Sequence, residues 1–249
     1  LAGLTNKYNI YASTLDKADV EVMHTRIATM NKALRGEHGG SNLLDSHVFQ
    51  FDFLNDPFNL DKPEKSKLPE SLIEILKDEE KRKKLVIYIN PPYAEAGNRK
   101  QRMGTGKNKS SVSFGNYVYN TYKKQLGLAC REVFAQFFIR IYDEIPTCVL
   151  AEFSKLKTLQ APNFRDFRKT FRAKLGRNFI VPAKTFDNVK GQFPIGFFIW
   201  HLNEKEEFLQ CKTDVYESDG TYKDQKNIYS YSNDTNVIEW LRKHYDNVS

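Results

Sequence analysis

Asn90, Pro91, Pro92 and Tyr93 stand in immediate succession after the apolar run Leu85-Val86-Ile87-Tyr88-Ile89. Together they offer a side-chain amide, a bare backbone carbonyl and an aromatic ring at one corner. The exocyclic nitrogen of a base is a poor nucleophile, because its lone pair is delocalised into the ring. Two acceptors, the Asn90 side-chain oxygen and the Pro91 carbonyl, would take both of its N–H protons and draw the nitrogen toward tetrahedral geometry. Its lone pair then localises and attacks an activated methyl group in line, while Tyr93 stacks on the base and fixes its plane. Such a reaction needs no metal and no strong base, since positioning carries most of the rate.

The elements that must hold this corner are legible on either side of it. The run at residues 85–89, rich in β-branched residues, predicts a strand buried on both faces of a parallel sheet. The two prolines end its ladder, since neither can donate a backbone hydrogen bond. The corner therefore falls at the carboxyl end of a strand, where open α/β sheets place their ligands. Upstream, residues 9–15 predict a strand that closes at Asp16. Val20, Met23, Ile27, Met30 and Leu34 follow at helical spacing, and Gly36, Gly39 and Gly40 stop that helix. Residues 48–53 alternate as a second strand, and the later part of the charged stretch 62–84 predicts a surface helix. Downstream, Leu126, Ala129, Val133, Phe134, Phe137, Phe138 and Ile141 form a broad apolar helical face. Strands are expected at 147–153, 179–181 and 195–202, and Asn163 is the expected cap of a helix built on Phe164, Phe167, Phe171 and Leu175. The β-α-β alternation predicts a Rossmann-like, doubly wound α/β sheet. Residues 1–202 would form its catalytic domain and 203–249 a polar extension.

Composition narrows the partners. The chain of 249 residues carries a net charge of +7, which favours a polyanion. Arg99, Lys100, Arg102, Lys107 and Lys109 crowd the segment after the corner, and Lys123 and Lys124 lie further on, with Phe114, Tyr117, Tyr119 and Tyr122 interleaved. A basic, aromatic-bearing loop suits phosphate contacts and stacking on an unpaired base; the same composition also suits an ordinary solvated loop. Gly104-Thr105-Gly106-Lys107 is not a phosphate-binding loop of the Walker type, because Asn108 stands where Ser or Thr is needed and Gln101 where the leading glycine is needed. Cys130, Cys148 and Cys211 are odd in number and far apart, so no zinc site or disulfide framework is expected and a reducing, cytoplasmic setting fits. No stretch approaches the roughly 20 apolar residues of a membrane span.

With Asn90 to Tyr93 intact, the chain resembles the S-adenosyl-L-methionine-dependent amino-methyltransferases. It is most similar to the bacterial DNA adenine-N6 enzymes of restriction-modification systems, over roughly residues 9–202. The resemblance implies that Asp16 holds the cofactor ribose and Leu15 packs on its adenine. It further implies that Asp52, with Phe53 beside it, takes the cofactor's exocyclic amino group. An Asp after a strand is also what an ordinary turn or helix cap uses. Past the catalytic motif the family carries a hairpin aromatic that packs on the flipped base, for which Phe193 is the first candidate and Phe186 the second. Double-stranded DNA with an extruded adenine is the implied substrate, with a restriction endonuclease or specificity subunit as companion. The family also opens with a strand and a glycine-rich cofactor turn that this sequence lacks. The expectation is a fragment whose missing strand belongs between those ending at Asp16 and Asn90. Relatives with the same corner methylate a protein glutamine amide or guanine amino groups in RNA; cytosine-N4 enzymes usually carry Ser at the Asn90 position. A non-catalytic DNA-binding or specificity module is the remaining alternative.

Overall fold

The structure, a computed structural model, describes residues 4, 6–33, 43–91, 113–186 and 193–230. It divides into two compact units, Leu1–Arg82 and Lys83–Ser249.

In the first unit β1 (Ala12–Thr14) and β2 (Val48–Gln50) pair in parallel, with Ala12 opposite Val48 and Thr14 opposite Gln50. Parallel neighbours need a crossover, and α1 (Lys17–Ala33) lies within it. The helical spacing read from the sequence puts Ile27 into a small core with Leu43 and Val48, against which Ile10, Ala12, Val20 and Met23 pack. Both strands are shorter than the sequence suggests, and after β2 the chain turns at Asp52 instead of continuing as a strand to residue 53. α2 (Glu70–Lys77) buries Ile73 and Leu76, and the single turn α3 (Glu79–Arg82) ends the unit.

The second unit is built on a six-stranded sheet of order β3-β4-β6-β5-β7-β8. Its strands are β3 (Val86–Ile89), β4 (Val149–Lys155), β5 (Ala173–Pro182), β6 (Pro194–Lys205), β7 (Gln210–Tyr216) and β8 (Tyr222–Tyr229). β3 runs parallel to β4 and β5 to β7, while β4–β6, β5–β6 and β7–β8 are antiparallel. The chain is thus mixed α/β, as the alternation predicts, but this sheet is mixed rather than parallel throughout. β3 also corrects an expectation: it is an edge strand of this sheet, with Val86 60% and Tyr88 63% exposed, not a strand buried on both faces. Residues 203–230, polar in sequence, are largely strand and extend the sheet through β7 and β8.

One face of the sheet is packed by helices. Side chains alternate along a strand, so Leu150, Glu152 and Ser154 of β4 share a face with Phe198 and Trp200 of β6, their partners in register being Glu152↔Phe198 and Leu150↔Trp200. α4 (Tyr117–Leu126), α5 (Val133–Glu144) and α7 (Arg165–Thr170) bring Phe134, Phe138, Phe167 and Phe171 to the core, with the single turn α6 (Lys157–Gln160) following β4. Phe171 meets Trp200 edge-on at 5.3 Å, and Phe134 stacks on Phe164 at 5.6 Å. Burying a side chain of this size contributes about 1.5–3 kcal/mol, and Phe134, Phe138, Phe164 and Phe198 are all fully buried.

Two helix expectations change. Tyr117–Leu126, expected within a basic loop, is a helix whose N-cap, Asn116, accepts a hydrogen bond from the Tyr119 N–H. Asn163 caps nothing: it lies inside a 3-10 turn (Pro162–Phe164), and α7 stops at Thr170, so that Leu175 belongs to β5.

Candidate active site

The candidate residues fall in both units. At the end of β1, Leu15 is 64% exposed. Asp16 follows as the cap of α1: its Oδ1 accepts a hydrogen bond from the Ala18 N–H at 2.8 Å, which satisfies one of the orphan donors of the first turn. Among the described residues no hydrogen bond reaches its Oδ2, which the cap leaves open.

Asp52 follows β2 by one residue and braces a tight turn. Its carboxylate accepts from the Leu54 N–H at 2.9 Å and from Asn55 Nδ2 at 2.9 Å. The Asp52 N–H in turn donates to Asp56 Oδ2 at 2.8 Å, and Asp56 is held by Lys67 at 2.7 Å. A carboxylate has about four lone-pair positions, so Asp52 is ordered by the turn without being saturated. Phe53 is half-buried, edge-on to Phe51 and Phe58 at 6.2 and 5.9 Å. The ordinary structural roles of these two aspartates are therefore real, and neither consumes the whole carboxylate.

In the second unit β3 delivers Asn90, exposed, and Pro91, buried, at its carboxyl end. Pro92 and Tyr93 lie outside the described residues, as do Arg99, Lys100, Arg102, Lys107 and Lys109. Ile89 is paired with Glu152, so Asn90 leaves the sheet level with Phe153. Around that level an aromatic band crosses the strands. Tyr88 meets Phe153 at 6.4 Å, Phe153 meets Phe197 at 4.8 Å, and Phe179 stacks on Phe197 at 5.2 Å. Phe186 and Phe193 bracket the connection between β5 and β6. Both pack with Phe153 on the cluster of Val181, Ala183 and Ile195, and the Phe186 ring meets Phe153 edge-on at 5.1 Å. The structure thus brings the Asn90 corner and both hairpin phenylalanines to the same end of one sheet.

A residue that the sequence reading did not single out sits directly behind the corner. Glu152, fully buried and paired with Ile89, accepts a hydrogen bond from Trp200 Nε1 at 3.1 Å. Burial pushes its carboxyl up to about 8, against the opposing pull of the Trp200 and Ser154 hydrogen bonds. A lone Glu in the otherwise apolar strand V-L-A-E-F was the available signal. Among the described residues, no group of three or more His, Cys, Asp or Glu is placed to hold a metal ion, and no helix is long and apolar enough to cross a membrane.

No protein-family model matches the chain, and no curated protein matches it. Solved structures similar to it include the ATP-dependent type ISP restriction-modification enzyme LlaBIII bound to DNA, with a TM-score of 0.47 and 12% identity over 85% of this chain and 15% of that one. The M protein of the type I restriction enzyme EcoKI follows with 0.40 and 14% over 84% of this chain and 35% of its own. The type IIG restriction endonuclease BpuSI gives 0.43 and 12% over 86% and 24%. The chain therefore spans about a seventh to a third of the solved chains it matches.

Proposed function

We propose that this chain is the catalytic part of a DNA methyltransferase that transfers a methyl group to the N6 amino group of adenine, on a Rossmann-like methyltransferase sheet. The observation that carries the reading is the placement of Asn90 and Pro91. They leave the parallel pair β3–β4 at its carboxyl end, in one sheet with two hairpin phenylalanines at the same end. In this reading the target adenine leaves the duplex stack. The Asn90 side-chain oxygen and the Pro91 carbonyl accept its two amino protons, Tyr93 stacks on one face of the ring, and Phe186 or Phe193 supports the base from the hairpin. Arg99, Lys100, Arg102, Lys107 and Lys109 hold the phosphate backbone.

S-adenosyl-L-methionine, when bound, supplies the electrophilic methyl carbon. The residues assigned to it fit the group. Leu15 offers exposed apolar surface for an adenine, the Asp16 carboxylate keeps an oxygen for a ribose hydroxyl, and Asp52 beside Phe53 is ordered as an acceptor for an amino group. The partners of the whole protein would be DNA and the nuclease or specificity components of a restriction-modification system.

The test is transfer of labelled methyl groups from S-adenosyl-L-methionine to unmethylated DNA, with a protein extract offered as competing acceptor and the products identified after digestion. Label is expected as N6-methyladenine. Asn90→Ala is expected to lower transfer by about 100-fold or more, the scale of losing one preorganised group at a reacting centre, with DNA affinity changed less than about twofold. Label in protein, or equal loss of transfer and binding in the variant, would overturn the reading.

A further inference from the structure

The first unit holds a serine and a histidine in hydrogen-bond contact, at the end of its strand pair opposite to Asp16 and Asp52. β1 and β2 run parallel with Ala12 opposite Val48, so the residues just before them, Tyr11 and His47, enter side by side. Their rings stack at 3.9 Å, which fixes the imidazole plane. His47 is buried, and its Nδ1 lies 3.3 Å from the Ile10 carbonyl oxygen. A carbonyl can only accept, so in the neutral ring Nδ1 carries the proton and Nε2 is left as a bare acceptor. Ser71, the second residue of α2, places its Oγ 3.4 Å from that Nε2. The same oxygen accepts from the Tyr11 hydroxyl at 2.9 Å, so the serine's own proton is the one directed at the imidazole. The bonds thus run in one direction, from Tyr11 through Ser71 to His47, and end on the Ile10 carbonyl. Ser71 is exposed, and water would satisfy its hydroxyl equally well, so these bonds add little stability. What they do is give an accessible oxygen a base and a neighbouring donor.

We propose that Ser71 is a nucleophile activated by His47, and that it takes the acyl group of small carboxylic esters. The Ser71 Oγ attacks the ester carbonyl carbon and its proton passes to His47 Nε2. The bond from that carbon to the leaving oxygen breaks, the leaving alcohol takes the proton from Nε2, and the acyl group stays on Ser71. Water then attacks the same carbon and gives a proton to Nε2. The acid departs as the serine oxygen recovers that proton. The Ser71–His47 distance is at the long limit of a hydrogen bond, and such contacts tighten once a substrate is seated. The Tyr11 hydroxyl, 2.9 Å from the attacking oxygen, is within reach of the carbonyl oxygen on which charge develops. A third group orients the base, as such pairs require, but here it is the neutral Ile10 carbonyl. It holds the tautomer without a full charge to offset the imidazolium, so turnover is expected to be slow. The site stands apart from methyl transfer, which uses none of these residues.

The test is labelling of the full chain with a fluorophosphonate, in which the bond from Oγ to phosphorus forms as the phosphorus–fluorine bond breaks. Digestion and mass spectrometry then locate the adduct, which is expected on Ser71. The labelling rate is expected to fall about 100-fold or more in His47→Gln, the scale of losing a positioned base. In Tyr11→Phe it is expected to fall about fivefold, the worth of one hydrogen bond. Hydrolysis of nitrophenyl acetate, followed in parallel, is expected to fall in the same order and to drop to the solvent rate in Ser71→Ala. Because His47 is buried, circular dichroism accompanies its variant, and Ser71→Cys supplies a measure that leaves the histidine in place. At pH 6 an ordinary thiol is almost wholly protonated. Alkylation by iodoacetamide at position 71 is there expected to be about tenfold faster than that of free cysteine. No adduct on Ser71, an unchanged labelling rate in a folded His47→Gln, or alkylation at position 71 no faster than that of free cysteine would overturn the proposal.

Discussion

Replacing Glu152 with Gln isolates the energetic consequence of a carboxyl buried behind the Asn90 corner. Glutamine keeps the oxygen that accepts the Trp200 N–H at 3.1 Å and removes the titration, placing an amide NH2 where the second carboxyl oxygen is buried. The wild-type carboxyl moves from its ordinary 4.5 to about 8 on folding, chiefly through burial. Between those values the folded state holds a proton that the unfolded chain releases, so stability falls as pH rises, by up to about 1.4 kcal/mol per pH unit. The contribution is fully present below pH 4.5 and is lost as pH rises through about 8. Integrated over that window the loss is about 5 kcal/mol, an upper bound because local relaxation and water entry soften burial. Urea unfolding from pH 5 to pH 9, followed by tryptophan fluorescence and circular dichroism, reads this directly. Glu152→Gln is expected to match the wild type at pH 5 within about 1 kcal/mol and to exceed it by roughly 2–5 kcal/mol at pH 9. Parallel stability curves for the two proteins across the whole range would refute the argument.

Other outcomes follow from particular contacts. Gln136 donates to the Ser113 and Cys130 carbonyls at 2.8 and 2.7 Å and accepts from Asn116 Nδ2 at 2.9 Å, so Gln136→Ala leaves several buried groups unsatisfied and is expected to cost about 2–4 kcal/mol in chemical denaturation. A Cβ on Gly196 would meet the buried Phe198 ring at 2.1 Å and Leu156 at 3.1 Å; Gly196→Ala is expected to lose about 1–3 kcal/mol by overpacking. Asp16→Ala removes the cap of α1 and is expected to cost about 1 kcal/mol, while Asp16→Asn keeps the cap; a fall in S-adenosyl-L-methionine affinity in both, measured by calorimetry, separates ligand binding from capping. Phe186→Ala is expected to weaken productive base capture, read as a rise in KM for DNA, more than Phe193→Ala does.

The parts of the fold that were legible in the sequence are those with one dominant period. The spacing from Val20 to Ile27 gives α1, and the apolar runs before Asn90 and after Cys148 give β3 and β4, each within about two residues. Where two periods overlap, the reading slips. Phe164, Phe167, Phe171 and Leu175 continue a helical spacing past the point where the helix ends, because Phe171 turns to extended backbone and its ring still reaches the core from there. The helix Tyr117–Leu126 was hidden by its own composition, since tyrosines among lysines look like stacking groups on a loop. Its burial is nonetheless helical, with Val118, Tyr122 and Leu126 at intervals of four and all buried. Asp16 and Asp52 were found by position at strand ends, but their engagement with neighbouring backbone is set by turns that single-residue reasoning does not resolve. Ser71 and His47, 24 residues apart in the chain, leave no trace in the sequence and meet only in the fold.

The candidate site depends on sheet topology more than on any one of its residues. β3 is parallel to β4, so their carboxyl ends coincide; β6 is antiparallel to β4, so β6 must begin where β4 ends. The β5–β6 connection is thereby forced to the end of the sheet from which Asn90 emerges. Were β3 antiparallel to β4, Asn90 and Pro91 would lie at the opposite end, remote from Phe186 and Phe193. The register sharpens the choice between the two phenylalanines. Asn90 emerges level with Phe153, and the Phe186 ring rests on Phe153 at 5.1 Å, whereas Phe193 lies two residues beyond Ile195, the partner of Lys155. Strands rise about 3.3 Å per residue, so Phe193 sits further out along the sheet, against the Lys155 ammonium. Under the proposed function, Phe186 rather than Phe193 is then the hairpin aromatic expected to meet a base held at Asn90.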